Sequence, residues 1–214
     1  MSTKITVDFL VIGSGSAGVC AALYAASQGK AVMLCEKAAK IGGTTALSNA
    51  MIWVPCSDHA VQAGIDDSLE NARTYLRNEL GNYYDDAKIN AYLERGPEAV
   101  RAIEENSEIK FVLAGAPDYH SSKEGGVDKG RALSPVPYDG RKLGKEFDLI
   151  GDPIRVVLGG MMITSSEVKH FLNPFKSTTA MTHVLRRVGR FAMDRLKFSR
   201  GTELSGGNAF LAAA

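Results

Sequence analysis

The chain has 214 residues, 45% of them apolar and 23% charged, a composition that fits one large or two small globular domains and excludes disorder, collagen and coiled coil. Twenty-five basic against twenty-four acidic side chains leave a formal charge of +1, which supplies no field for a polyanion and points to a small-molecule partner rather than nucleic acid. Three cysteines, Cys20, Cys35 and Cys56, lack C-x-x-C spacing and neighbouring histidines, which argues against a disulfide framework and against a zinc site.

Residues 5 to 12 form a β-branched and aromatic run that stops at Gly13, the pattern of a buried parallel strand. Gly13, Gly15 and Gly18 then spell G-x-G-x-x-G, with Ser16 and Ala17 between the last two. An alanine-rich helix is predicted from Val19 to Gln28, closed by Gly29. A second strand, Ala31 to Cys35, ends on Glu36 and Lys37. The order strand, loop, helix, strand and terminal acid predicts a dinucleotide site. Gly13 would permit the tight turn, Gly15 would admit a pyrophosphate, and Gly18 would let the helix lie close to the strand. The helix N-terminus would offer free amides, and Glu36 would accept from a ribose hydroxyl, an arrangement that speaks against a 2′-phosphate.

A second glycine pair follows the acid: Gly42, Gly43, Thr44, Thr45 and, three residues on, Ser48. This segment resembles the second cofactor loop of the flavoprotein family that includes fumarate reductases, succinate dehydrogenases and 3-ketosteroid dehydrogenases. The resemblance implies FAD, with these five residues holding the diphosphate and the isoalloxazine. Some members attach flavin through a histidine here, and none lies between Gly42 and Trp53, so noncovalent FAD is expected. Where ketosteroid members carry further glycines, this chain has Asn49 and Ala50.

Helical spacing of Leu69, Ala72, Leu76 and Leu80 behind Asp66, Asp67 and Ser68 predicts a surface helix. Two more are predicted at 86–95 and 97–105, separated by Gly96 with Pro97 at a first helical position. Glu70, Glu79, Glu94, Glu98, Glu104 and Glu105 are read as solvated helix faces and given no chemistry. A strand is expected at 109–113.

The stretch 114–145 carries little periodicity and reads as one long loop, either a lid or binding loop anchored by Tyr119, Leu133, Val136 and Tyr138, or disorder. Asp118–Tyr119, Gly125–Gly126, Gly130–Arg131 and the run Pro137 to Gly144 resemble the corresponding loop of 3-ketosteroid dehydrogenases. That resemblance makes Tyr119 a catalytic candidate supporting proton transfer. A phenol can meet an apolar ring without a permanent charge, but with a pKa of ~10 it needs a partner to act as a base. Tyr119 packing its own loop is the competing reading.

The apolar run 154–163 is strand, core or pocket wall, with core packing favoured for Met161 and Met162. From Ser177 to Phe198 a long amphipathic helix is expected, with Met181, Val184, Leu185, Val188, Ala192 and Leu196 on one face and Arg186, Arg187, Arg190, Arg195 and Lys197 on or near the other. Such a helix suits an anionic membrane surface or plain solvent, and solvent is the favoured reading. His59, His120, His170 and His183 lack metal spacing, so no metal site is expected.

Residues 200–214 resemble the family's Gly-x-x-Leu-x-x-Gly-x-Ala-Leu element, with a short helix from about Gly207 whose last carbonyls have no partner in view. The expectation is therefore an α/β, Rossmann-like FAD-binding domain spanning 1–214, with a parallel sheet, the first segment of a longer protein without its substrate-capping domain. Neither a signal peptide nor a membrane-spanning stretch is read in the sequence, so a cytoplasmic location is expected. The resemblance implies hydride transfer from a ketosteroid carbon to flavin. A fumarate-reductase-like enzyme on a small dicarboxylate, and an inert FAD-binding fragment, are the alternatives.

Overall fold

The computed structural model describes residues 4–154 and 156–214. Arg155, inside the apolar run read at 154–163, lies outside the described residues.

Strand β1 (Phe9–Ile12), helix α1 (Ser16–Ser27) and strand β2 (Val32–Cys35) form the expected crossover unit. The strands are parallel, with Phe9 opposite Val32 and Ile12 opposite Cys35. Gly13 turns at φ +98° and donates its amide to the Cys35 carbonyl at 2.7 Å. Helix α1 starts three residues earlier than its alanine content announces, because the glycine turn itself supplies the first turn of helix. It closes where expected, with Gly29 at φ +73°. A Cβ at Gly18 would collide with the Gly13 carbonyl oxygen, so the absence of a side chain there allows the helix to sit on the turn.

Two expectations about this sheet are corrected. It has only two strands, and β1 is not buried: Leu10 is 57% exposed and Ile12 83%. Helix α1 covers one side, and no described element pairs with the free edge of β1 or covers its other face. The remaining strands are antiparallel. Strand β3 (Ile52–Trp53) and strand β4 (Phe111–Leu113) flank β5 (Ala132–Pro135), and β6 (Tyr138–Asp139) pairs with β7 (Glu203–Leu204). Strands β5 and β6 and a 3-10 run from Gly140 to Leu149 therefore occupy the second half of the stretch read as loop 114–145. Their shortness and their prolines hid them, yet Pro135 ends β5, where a missing amide does no harm to the ladder.

After the short helices α2 (Gly43–Leu47) and α3 (Asp58–Gln62) comes α4 (Leu69–Leu80), whose cap Ser68 accepts the Asn71 amide. The two helices expected at 86–95 and 97–105 are one, α5 (Asp86–Asn106). Pro97 sits inside it. The helix survives because Leu93 and Val100, seven residues apart on one face and both buried, bind the two halves to the same core. Two acids read as solvated are not. Glu104 meets His59 at 3.1 Å and accepts the Phe111 amide at 2.8 Å, and Glu79 meets His120 at 2.6 Å and Lys123 at 2.7 Å.

The core gathers around α8 (Gly206–Ala213), which is buried from Gly207 to Ala213 and apolar on all sides but one. Phe210 and Leu211 join Phe111, Leu133, Phe147 and Leu204 there. Its Ala213 carbonyl, expected to lack a partner, accepts the Glu108 amide at 2.9 Å.

Between α4 and β5 lies a buried ion cluster that the sequence reading did not identify. The Arg131 guanidinium, 1% exposed, donates to both oxygens of Asp67 at 2.7 Å and to Asp118 at 2.8 Å. It lies 5.5 Å from the Trp53 ring and 5.7 Å from Tyr75. Asp118 also accepts from Trp53 Nε1 at 2.6 Å and from the Val127 amide at 3.2 Å. The loop 114–131 is thus pinned to α4 and β3 by charge. Replacing Arg131 with Ala would leave two carboxylates buried beside no cation, a loss of about 3–5 kcal/mol. Urea unfolding followed by fluorescence of Trp53, the single tryptophan, measures it; a loss below about 1 kcal/mol would mean that the cluster does not hold the loop.

Helices α6 (Val168–Leu172) and α7 (Thr178–Asp194) reverse another expectation. The stripe that α7 buries is Ala180, Arg187 and Asp194, while Leu185 is 62% exposed. Arg187 donates to the Met162 carbonyl at 2.6 Å, lies 2.9 Å from Glu167 and pairs with Glu203; Arg190 donates to Asp139 at 3.0 Å. These carboxylates decide which side of the helix faces in. Arg187 and Arg190, read as solvated, are its internal contacts, while Arg186 and Arg195 are exposed as expected.

Candidate dinucleotide site

Ser14 stands at the centre of the site. It is buried, and its hydroxyl donates to Glu36 Oε2 at 2.5 Å while accepting the Gly42 amide at 2.9 Å. Its own amide donates to the same Glu36 oxygen at 3.0 Å. One side chain therefore binds the first glycine turn to the end of β2 and to the second glycine turn. The sequence reading passed over Ser14 as a variable position in G-x-G-x-x-G. The signal was a hydroxyl beside the glycine turn and an acid at the end of the next strand.

A second tie runs from the Ser16 amide to Thr45 Oγ1, 2.9 Å. Thr45 is buried in α2, and α2 is held from behind by α8. Asn208 Nδ2 donates to the Ala46 carbonyl at 2.8 Å, and its Oδ1 accepts from Arg200 at 2.6 Å. A Cβ at Gly207 would collide with the Thr45 carbonyl oxygen, and one at Gly42 with the Leu211 side chain. Gly42 is at φ +106°, a conformation that favours glycine independently. Asn208, Gly207 and Arg200 are the positioning residues that sequence reading missed; their distance along the chain from α2 left no local signal.

The three glycines of the first motif have different causes. Gly13 needs its positive φ, and Gly18 needs the missing side chain. Gly15 needs neither. It has φ −68° and ψ 174°, and a Cβ there would stand 3.8 Å from Thr45 Oγ1, in ordinary contact. Nothing within the fold requires glycine at 15. What remains is the open space in front of it, where Ser16 and Ala17 are exposed and no side chain caps α1. The first amides of a helix have no intrahelical partner; that of Ser16 is taken by Thr45, and those of Ala17 and Gly18 are left for a ligand at the positive end of the helix dipole. Gly43 and Thr44 are exposed at the second turn, and Lys37 is exposed beside Glu36. A dinucleotide's diphosphate fits this arrangement: the backbone can approach at Gly15, the Ala17 and Gly18 amides lack a cap, and no described carboxylate lies within 4 Å of a Cβ placed at Gly15.

Glu36 takes three hydrogen bonds: from the Ala38 amide to Oε1 at 2.9 Å and from Ser14 twice to Oε2. The Ala38 amide, then the Ser14 hydroxyl and amide, hold its carboxyl at about 2, against an ordinary 4.5. Oε1 keeps one lone pair for a further donor such as a ribose hydroxyl.

Ser48 closes the second turn. Its hydroxyl donates to the Thr45 carbonyl at 2.9 Å and accepts the Ala50 amide at 3.0 Å. Ala50 is at φ +46°, so the backbone adopts a left-handed conformation where the family's glycines are expected. Beside Ser48 and Asn49 opens a cavity of about 330 Å³, walled by Ile154, Val156, Met162, Ile163 and Val168. The described residues of the apolar run 154–163 thus form no strand. The run makes a turn around Gly159 and Gly160, with Met162 both in the core and on the cavity wall.

Tyr119 projects from the turn after Asp118 and is 98% exposed, its hydroxyl without a hydrogen-bond partner among the described residues. Asp118 is fixed, and the phenol next to it points to solvent. His59, His120 and His183 each pair with a single acid, and no group of metal-ligating side chains occurs among the described residues. No described helix is long and apolar enough to cross a membrane.

A glycine turn entering a helix, tied to a second glycine turn and ending on a hydrogen-bonded acid, is the arrangement that a dinucleotide site of flavoprotein type requires. The chain belongs to the FAD binding domain family, matching it over residues 8–213. It is 39% identical over 141 residues to the 3-oxosteroid 1-dehydrogenase of Mycobacterium tuberculosis, covering 65% of this chain and 25% of that one. The 4-oxocyclohex-2-ene-1-carboxylate 5-dehydrogenase of Sinomonas cyclohexanicum is 35% identical over 210 residues, 97% of this chain and 35% of its own. The crystal structure of 3-ketosteroid delta1-dehydrogenase from Sterolibacterium denitrificans in complex with 1,4-androstadiene-3,17-dione superposes with a TM-score of 0.84 at 30% identity, covering 97% of this chain and 37% of that one. The family resemblance seen in the glycine turns is borne out. The chain spans between 25% and 37% of the length of these relatives.

Because the folded Glu36 carboxyl is held below its ordinary value, its contribution to stability is complete above about pH 4.5 and is lost as the pH falls toward about 2. Glu36→Gln should lower the melting temperature at neutral pH, and the gap to the unaltered chain should close over that acid range. A gap that stays constant down to pH 2 would show that the carboxylate charge is not what fastens Ser14.

Proposed function

We propose that the chain binds FAD noncovalently and forms the flavin-binding part of a dehydrogenase that acts on a carbon–carbon bond beside a ring ketone, of 3-ketosteroid type. Gly15, Ala17 and Gly18 would hold the diphosphate through backbone amides, on a turn made by Gly13 and beside the exposed Ser16, with Glu36 and Lys37 at the ribose. Gly42, Gly43, Thr44, Thr45 and Ser48 would continue the cradle toward the isoalloxazine. The observation that carries this reading is Gly15, a glycine that no strain or contact inside the fold explains. The absence of histidine between Gly42 and Trp53 supports noncovalent attachment. When bound, FAD supplies the acceptor for hydride.

The cavity beside Ser48 supports an apolar ring substrate over a dicarboxylate. Its described wall is mostly aliphatic, with Ser48, Asn49, Ser165 and Ser205 as its polar members and no charged side chain, and among the described residues Arg187 is committed to Glu167 and Glu203, Arg190 to Asp139, and Arg200 to Asn208. A dicarboxylate would need cations free to face it. Tyr119 is proposed to support proton transfer; its unpartnered phenol can donate to, or accept from, a substrate brought against the loop. The relatives' printed activities on 3-oxosteroids and oxocyclohexane carboxylates support a ring ketone as the shared substrate feature.

Titration of the chain with FAD, read by flavin fluorescence, tests the proposal. Gly15→Ala should leave the melting temperature within about 1 °C, since the added methyl has room, and should weaken FAD binding about tenfold or more by filling the approach to the diphosphate. Equal affinity in both proteins overturns the assignment of the site, and no uptake by either overturns FAD. A 3-ketosteroid, and not succinate, should perturb the bound flavin's absorption; the reverse result overturns the substrate class.

A further inference from the structure

Three of the described arginines are buried: Arg131, Arg187 and Arg200. Arg131 faces the buried Asp67 and Asp118, and Arg187 faces the largely buried Glu167. Arg200, 7% exposed, has no such partner among the described residues. Its Nη1 donates to Asn208 Oδ1 at 2.6 Å, its Nη2 donates to the Ile150 carbonyl at 3.4 Å, and the Phe147 ring lies 4.9 Å away. These contacts satisfy donors and cancel no charge. Asp152 Oδ1 stands 4.0 Å from Arg200 Nε, but Asp152 is 68% exposed and already meets Lys40 at 2.5 Å. Asp148, the other acid that acts on it, is exposed and bonded to Ser199. Burial lowers the Arg200 pKa from its ordinary value against the pull of both acids, yet a guanidinium keeps its proton. The interior therefore holds a cation that water screens poorly, while the opposing charges lie where water screens them well.

This cation stands behind the second glycine turn. Asn208 links it to the Ala46 carbonyl of α2, and α2 carries Thr45, which holds the Ser16 amide. By a second route, the Gly151 amide, next to the Ile150 carbonyl that Arg200 meets, donates to the Ile41 carbonyl at 2.9 Å, one residue before Gly42. Every group along both routes is neutral. Asn208 needs a hydrogen-bond donor at its Oδ1, which a neutral amide could supply; the charge itself has no use inside the fold. We propose that Arg200 sets the reduction potential of the flavin held in front of this turn, favouring the reduced form. The inference rests on the FAD reading of the cradle. Two electrons and one proton taken up by an oxidised flavin leave one net negative charge, so a cation fixed in the low-dielectric interior behind it makes the site bind the reduced form more tightly than the oxidised. Arg200 acts through Asn208 and α2, as a positioning and electrostatic residue.

Reduction of the FAD-loaded chain by xanthine and xanthine oxidase, beside a dye of known potential, tests it. Arg200→Gln, which keeps a donor for Asn208, should lower the preference for reduced over oxidised FAD about tenfold, about 30 mV for a two-electron couple. Arg200→Lys, which keeps the charge, should retain most of the parent's potential. Asn208→Asp leaves the guanidinium in place and gives it a buried counter-charge, and it should lower the potential by a similar amount. Asn208→Ala breaks the same hydrogen bonds without adding a charge and should move the potential far less. Where Arg200→Gln does not fold, the two Asn208 variants decide. A potential that neither the glutamine nor the aspartate variant shifts overturns the inference and leaves the FAD site standing. Equal shifts in Asn208→Ala and Asn208→Asp overturn it too, because the hydrogen bonds and not the charge would then be responsible. No uptake of FAD by the unaltered chain overturns both this inference and the reading on which it rests.

Discussion

The hydroxyl of Ser14 is the point on which the site depends. It donates to Glu36 and accepts from Gly42, so the first glycine turn, the end of β2 and the second glycine turn are held at hydrogen-bond distance from one atom. Each of these segments is short, and each has a backbone that would sample other conformations alone. Bound together they form one cradle. The carboxylate of Glu36 is the other half of the device, since an acceptor held in its charged form makes both Ser14 bonds stronger than neutral ones. The acid at the end of β2 is, in this fold, first a structural acceptor.

Behind the cradle, α8 transmits the rigidity of the core to the second turn. The contact depends on missing atoms: glycine at 207 lets the helix lie against the Thr45 carbonyl, and glycine at 42 makes room for Leu211. Asn208 then satisfies the Ala46 carbonyl from within the core, at a separation of 162 residues along the chain. A buried amide in an otherwise apolar helix costs desolvation unless both ends are paired, and Arg200 pairs the second end. The site is thus assembled from local turns at residues 13–18 and 42–48 and made rigid by an element at the far end of the sequence.

That division explains which parts were legible in the sequence. Gly13, Gly18 and the strand–turn–helix–strand order were readable because their causes are local: a positive φ, a close approach, a change of hydrophobic period. Helix α4 was readable from its spacing and its Ser68 cap. What was not readable arose from partners distant in sequence. Pro97 and Gly96 announce a break that the shared core of Leu93 and Val100 overrides. Arg187 and Arg190 read as solvent-facing until Glu167, Glu203 and Asp139 are seen opposite them, and those acids come from three other segments. Strand β1 reads as buried because its composition is that of a buried strand, whereas burial requires a cover that its sequence cannot specify.

The same reasoning separates residues kept by the fold from residues that the fold does not need. Arg131 between Asp67 and Asp118 has its full role inside the structure: it neutralises, it fills, and it fixes the loop. Gly15, the uncapped amides of Ala17 and Gly18 and the phenol of Tyr119 have no such internal account. Tyr119 stands beside the most firmly held residue of its loop, since Asp118 takes hydrogen bonds from a tryptophan, an arginine and a backbone amide. A phenol left free on a rigid base retains little backbone motion to lose when something binds against it. Positions whose identity the interior does not explain, carried on backbone that the interior holds still, are where a ligand's requirements show through the sequence.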